Sequence, residues 1–295
     1  MEIEPTPTPE ECLAIAFHPS GLHLVVALND KIQLMNLHAD KLRPDKIWPT
    51  RNCYDIKFSH GGHMFAAVSN KDIHVHNFYT NDCPDSMMYS GHMQRVNRID
   101  WFENDMGFVS CSSDGGIYFY DLYTHTLEKQ KRNLDKDFND KGAKYLSVVN
   151  VPNKPYEVVA VGTDRQVTSN VTSATDKSRA LDAYLSEVCM MKSGRAVIAG
   201  VGEPGRPGEL QVWKFPLERT LSVQAHSKAV TRLRLSHDNS WLYTTGADGI
   251  ICIFEVKDKD PRAVKRDETF HGAGNLLYSE EILTDKSRLE ALMNE

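Results

Sequence analysis

A turn signature that returns every forty-odd residues constrains this chain more than any single motif. It first reads Phe17-His-Pro-Ser-Gly, at the end of an apolar run. It recurs as Phe58-Ser-His-Gly-Gly, Trp101-Phe-Glu-Asn-Asp, Asn150-Val-Pro-Asn-Lys, Met190-Met-Lys-Ser-Gly and Leu235-Ser-His-Asp-Asn, at gaps of 41, 43, 49, 40 and 45 residues. Turn-forming residues between two strand-like runs mark a hairpin each time. A second landmark follows about twenty residues later: Met35-Asn36, His76-Asn77, Tyr120-Asp121, Asn170-Val171, Trp213-Lys214 and Phe254-Glu255, with gaps of 41, 44, 50, 43 and 41. The two series drift together, so the unit is structural. Within it the apolar residues alternate at period two, as in Ile117, Phe119 and Leu122 around Tyr118 and Tyr120. Short strands in units of this length predict an all-β fold, the four-stranded blades of a β-propeller. Six units are recognisable. Six could close a ring; residues 2–11 and the tail could instead supply parts of a seventh blade, or the chain could be one portion of a larger array.

Composition removes other classes. Net charge is −6, from 34 Lys and Arg against 40 Asp and Glu, which disfavours a nucleic-acid binder. The start, MEIEPTPTPEE, lacks the basic and apolar regions of a signal peptide, and no apolar run approaches the ~18 residues of a spanning helix. The six cysteines are scattered, with no Cys-x-x-Cys, which predicts reduced thiols in a cytoplasmic setting without membrane insertion.

The best units open on Gly91-His92 and Ala225-His226 and carry Asp114-Gly115 and Asp248-Gly249. On these residues the chain resembles the WD40-repeat family across roughly residues 12–256, although no Trp-Asp dipeptide is present. The resemblance implies a hydrogen-bonded tetrad in each complete blade. One would be His92, Ser110, Asp114 and Tyr120; the other His226, Thr244, Asp248 and Phe254, where phenylalanine has no polar hydrogen to complete the link. Asp114 and Asp248 are thereby expected to be structural acids.

Beyond Glu255 the pattern changes. Residues 257–268 form a mixed-charge connector, and Ser279-Glu280-Glu281 is a helix-start signal. Ile282, Leu289, Leu292 and Met293 then follow near-heptad spacing as a candidate coiled-coil seam, over fewer than the three or four heptads that settle such an assignment. On spacing alone, packing against the propeller is an equal alternative. The expected domains are a propeller over 1–278 and a helix over 279–295.

Further segments sharpen the resemblance: Phe17-His-Pro-Ser-Gly-Leu-His-Leu-Val-Val, Asp30-Lys-Ile-Gln-Leu-Met-Asn-Leu, Gly61-Gly-His-Met-Phe-Ala-Ala-Val, Gln224-Ala-His226, Val264-Lys-Arg-Asp-Glu268 and Ser279-Glu-Glu-Ile-Leu283. They are similar to the second propeller of a ciliary WD-repeat family in which two N-terminal propellers precede a long coiled coil. The resemblance implies a non-catalytic scaffold of the axoneme, a cytoskeletal structure. Its partners would be inner-arm dynein, neighbouring regulatory complexes and doublet-associated proteins, with a coiled-coil partner through 279–295. This chain departs from that pattern at both ends, lacking the first propeller and stopping as the coiled coil begins. A soluble WD40 adaptor that recruits a peptide or protein, of ubiquitin-ligase or trafficking type, is the alternative.

Catalytic and cofactor signals are weak. His74-x-His76 puts two imidazoles on one strand face, short of the three or four ligands zinc takes. The glycine-rich stretch Gly200–Gly208 lacks the Gly-Lys-Ser/Thr ending of a phosphate loop and precedes a strand. No enzyme activity, metal or cofactor is expected, and the inner strands are not expected to converge acidic ligands on the channel. The insert 129–144 reads as an exposed loop. If the wide entrance of the ring is used, Arg95, Asn97 and Ser113 are the candidate partner-binding residues.

Overall fold

A computed structural model describes residues 10–38, 41–80, 87–122, 144–154, 157–171, 174–180, 183–214 and 218–257. Residues Met1–Phe254 make one compact unit. Its described elements are strands, arranged as antiparallel sheets in chain order. The first holds β1 (Ala14–Phe17), β2 (His23–Ala27), β3 (Ile32–Leu37) and β4 (Leu42–Trp48). The second holds β5 (Cys53–Phe58), β6 (Met64–Ser69), β7 (Asp72–Asn77) and β8 (Met88–Ser90). A three-stranded sheet follows, with β9 (Val96–Trp101), β10 (Gly107–Ser112) and β11 (Ile117–Asp121). The fourth holds β12 (Tyr145–Asn150), β13 (Val158–Gly162), β14 (Gln166–Val171) and β15 (Ala174–Ala180); the fifth β16 (Leu185–Met190), β17 (Ala196–Val201), β18 (Gly208–Lys214) and β19 (Glu218–His226). The sixth is again three-stranded: β20 (Val230–Leu235), β21 (Trp241–Gly246) and β22 (Ile251–Glu255).

The hairpins form where the turn chemistry demands them. Gly115 and Gly249 sit at φ 78° and 79°, a left-handed backbone that the Asp-Gly turns need and glycine adopts without a Cβ penalty. Residues 202–207 of the glycine-rich stretch form the turn between β17 and β18.

Packing is shared between successive sheets. Val25, Ala27 and Leu34 of the first meet Ile56, Phe58 and Phe65 of the second in one core cluster. Val109, Ile117 and Phe119 of the third meet Tyr145, Val148 and Ala160 of the fourth in another. Trp48, Trp101 and Trp213 are fully buried, and each such ring is worth about 3–5 kcal/mol against alanine.

The first strands of the sheets also bond to one another through side chains. The Asp55 carboxylate accepts from Ile99 N (3.2 Å) and that of Asp100 from Asn150 N (2.7 Å). Ser147 Oγ accepts from Val188 N (3.3 Å), and Ser186 Oγ donates to the Val230 carbonyl (2.6 Å). Each bond satisfies a backbone group that the sheet ladder leaves open at the inner edge.

Among the described residues six sheets are present, and apolar residues of the first and sixth are exposed: Ile15 and Phe17 at one end, Ile251 and Ile253 at the other. The turn spacing counts units and says nothing of whether the two ends meet. The C-terminal helix, with Ile282, Leu289, Leu292 and Met293, lies outside the described residues, as does the insert 129–144 apart from Lys144.

Candidate interaction surface

The third and sixth sheets each carry a histidine-centred hydrogen-bond chain. His92 Nε2 lies 2.7 Å from Ser110 Oγ, and its Nδ1 3.1 Å from the Asp114 carboxylate. That carboxylate also accepts from Met93 N and Gly116 N at 2.9 and 2.8 Å. Burial raises the Asp114 carboxyl, but the bonds from His92, Met93 and Gly116 outweigh it and hold the group at about 2. The Tyr120 hydroxyl is buried beside Ser110 without a hydrogen bond of sound geometry. The second chain joins His226 Nε2 to Thr244 Oγ1 (2.8 Å) and His226 Nδ1 to Asp248 (3.2 Å), while Asp248 takes the backbone N–H groups of Ser227 (3.0 Å) and Ile250 (3.1 Å). Phe254 supplies the ring and no donor. In both chains the acid holds its own hairpin and the histidine.

The inner strands converge charges that the sequence analysis missed. Glu187 on β16 receives Arg98 Nε and Nη2 (3.1 and 3.0 Å) from β9 and Arg234 Nη1 (2.7 Å) from β20. Asp55 of β5 stands 3.9 Å from Arg98, and Lys57 pairs with Asp100. The acids on the inner strands thus meet guanidinium and ammonium groups. Burial lifts the Asp55 carboxyl above its ordinary value, partly opposed by Arg98 and Arg234. Arg98 is held more firmly protonated than in water, since the two carboxylates outweigh its burial. Such a cluster is a structural clamp, with its charges already compensated.

Asn97 and Ser113 meet through their side chains, and Ser113 N donates to the Arg95 carbonyl at 3.0 Å. Asn97 Nδ2 donates to Ser113 Oγ (3.0 Å) and to the Tyr145 carbonyl (2.5 Å), so its amide ties the third sheet to the fourth. Arg95 is exposed, its guanidinium carbon 3.9 Å from the centre of the Tyr54 ring. At the turns following the inner strands a cleft of about 760 Å³ opens, lined by Lys57, Phe102, Met106, Asn150, Pro152 and Lys192 among others. Asn150 donates to the Trp101 carbonyl (2.9 Å), while its Oδ1 is buried without a partner.

His74 and His76 stack with ring centres 6.2 Å apart, and His76 Nε2 is engaged by Thr50 Oγ1 at 3.2 Å. Among the described residues no group of three or more His, Cys, Asp or Glu side chains is placed to hold a metal ion. Among the described residues no helix is long and apolar enough to cross a membrane.

Comparison with known proteins agrees with this architecture. Residues 84–121 and 217–255, the stretches that contain the two histidine chains, match the WD domain, G-beta repeat. The chain thus carries WD40 repeats within an all-β array of propeller-type sheets. Cilia- and flagella-associated protein 57 C of Tetrahymena thermophila is 33% identical over 306 residues, covering 96% of this chain and 23% of that protein. Cilia- and flagella-associated protein 57 of Mus musculus is 31% identical over 285 residues, covering 95% of this chain and 21% of that protein. These are homologues along nearly the whole chain, which spans less than a quarter of their length.

Proposed function

We propose that this chain is a non-catalytic propeller module of a ciliary or flagellar scaffold. In this reading it docks inner-arm dynein and neighbouring regulatory complexes to the doublet microtubule and so supports motility, with a coiled-coil partner through 279–295. The observation that carries the reading is homology over 95–96% of the chain to proteins named for association with cilia and flagella. The charge clamp supports it: the polar groups nearest the axis are spent on holding the blades together. Two histidine chains brace the blades in the same sense, leaving the turns and the surface for partners. The test is fractionation of cilia with detergent and then moderate salt. Retention of the chain with the microtubule cytoskeleton is expected, and a wholly soluble pool would refute the scaffold. The 760 Å³ cleft favours a second reading, a soluble adaptor for a peptide motif. Saturable peptide binding lost on Met106→Asp, in a chain absent from the cytoskeletal fraction, would establish that alternative.

A further inference from the structure

The last position of each inner strand follows one rule, with one exception. The backbone bonds that close the next hairpin fix the correspondence: Ser59 N to the Met64 carbonyl, Phe102 N to Gly107, Val151 N to Glu157 and Met191 N to Ala196. The residues just before these donors are Phe58, Trp101, Asn150 and Met190, and the first and sixth sheets place Phe17 and Leu235 there. Phe58, Trp101 and Met190 pack in the cores shared with their preceding sheets, at 8%, 1% and 8% exposure. Asn150 is the polar member of the six. Its amide donates to the Trp101 carbonyl (2.9 Å), much as the Trp101 indole donates to the Lys57 carbonyl (2.9 Å). The polar link between sheets is thus kept and the apolar volume is not. The core between the third and fourth sheets ends at Phe102 and Val148, and the cleft of about 760 Å³ opens beyond it.

We propose that this cleft receives, from an extended segment of a partner protein, the large apolar side chain that the other sheets supply from their own inner strands, with an Asp or Glu beside it that pairs with Lys192. Continuity with the existing packing is the first reason. Phe102, Met106, Val149, Val151, Pro152 and Met190 form apolar walls around the position where Phe58, Trp101 and Met190 fill the other cores. The volume falls within the roughly 300–1,000 Å³ of ligand sites that combine apolar walls with a few polar groups. Charge is the second reason. Two acids of the lining are already engaged, Asp100 by Lys57 and Asn150 N, and Glu103 by Asn153 N at 2.8 Å. Lys192, also in the lining, is exposed and meets no carboxylate among the described residues. The inference rests on the peptide-docking reading of the cleft and is indifferent to where in the cell the chain resides.

Panning a phage-displayed library of random peptides on the purified chain, then titrating the selected peptides by fluorescence anisotropy, tests it. Saturable binders are expected to share a Leu, Met, Phe or Trp with an Asp or Glu close by. Asn150→Met places in the fourth sheet the side chain that the fifth has at Met190. It should weaken these peptides at least about thirtyfold, the scale of a central anchor, while lowering the melting temperature by no more than about 3 °C. Lys192→Glu, at an exposed position, should weaken them about fivefold, and a Lys in place of the peptide's acid should recover the loss. If Asn150→Met does not fold, this charge exchange decides alone. Binders that ignore Lys192→Glu, or that hold to a folded Asn150→Met unimpaired, overturn the proposal; where Met106→Asp still abolishes them, the cleft remains a peptide site of other chemistry. The absence of any saturable binder overturns both. A photo-reactive residue at position 106 that captures residues 123–143 in the peptide-free chain also overturns it, since the cleft is then filled from within.

Discussion

Removing the Glu187 carboxylate tests whether the charge clamp holds the blades together. In Glu187→Ala the Arg98 guanidinium loses both of its close carboxylate bonds. It keeps only the Asn97 carbonyl at 2.6 Å and Asp55 at 3.9 Å. Arg98 is about 10% exposed, so water cannot replace what is lost, and leaving one charge of a buried pair uncompensated costs about 3–5 kcal/mol. Arg234 can turn outward into solvent and adds less than about 1 kcal/mol to the loss. For a unit of this size that corresponds to a fall of about 6–20 °C in melting temperature. Two controls isolate the cause. Arg234→Ala should cost under about 1 kcal/mol. Replacing the pair together, Glu187→Leu with Arg98→Met, should recover most of the loss, because no charge is then left buried. Urea unfolding of the four proteins at low and high salt is the assay, and the Glu187→Ala loss should barely respond to salt. A loss below about 1 kcal/mol, or a double variant no more stable than Glu187→Ala, would refute the clamp.

Acid should act through His76, which is buried, stacked on Phe65, and pushed down from 6.5 to about 4 by burial and by His74. Because the unfolded chain binds that proton more readily, stability is full above about 6.5 and is lost as pH falls towards 4, by about 3 kcal/mol in all; His76→Phe should flatten the profile between those limits, as urea unfolding at stepped pH would show. Phe254→Trp should add an indole donor to Thr244 Oγ1 and raise stability by about 1 kcal/mol, a gain that must vanish in a Thr244→Val background. Thiol labelling at pH 8 should modify exposed Cys12 first among the described cysteines. Cys53 and Cys189, pushed up to about 12 by burial, and the more deeply perturbed Cys111 should react only as the chain unfolds, as mass spectrometry of timed samples would resolve.

Turn chemistry made most of the architecture legible. Asp114-Gly115 and Asp248-Gly249 force tight hairpins whatever surrounds them, and period-two alternation marks which strand faces are apolar. The histidine chains were visible for the same reason, since His92, Ser110 and Asp114 sit at fixed offsets within one unit. The clamp was not visible because its members come from units far apart: Asp55, Arg98 and Glu187 each look like ordinary polar residues on a strand. Aligning the inner strands position by position, Tyr54-Asp55-Ile56-Lys57 with Asn97-Arg98-Ile99-Asp100, Ser186-Glu187-Val188 and Thr231-Arg232-Leu233-Arg234, would have exposed the mutual neutralisation. Asn97 illustrates the converse. Its position suggested a partner contact, and the structure shows its amide serving the Tyr145 carbonyl, because backbone groups at a sheet's edge compete for any nearby donor. Whether the ends meet depends on the wedge angle summed over all sheets, a quantity no local pattern encodes.

Most contacts in this array join a sheet to the next one along, which by itself gives nearest-neighbour cooperativity: end units can fray while the middle stays intact. The bond between Arg98 and Glu187 is different. It reaches from the third sheet to the fifth, past the fourth, and closes a loop of 89 residues. Closing a loop of that length costs about 4 kcal/mol of chain entropy, so the contact belongs late on the folding route, after the hairpins have formed. A bond made after the rate-limiting step leaves the folding rate alone and slows unfolding. The clamp therefore acts as a latch in time, setting how long the middle three blades survive once assembled.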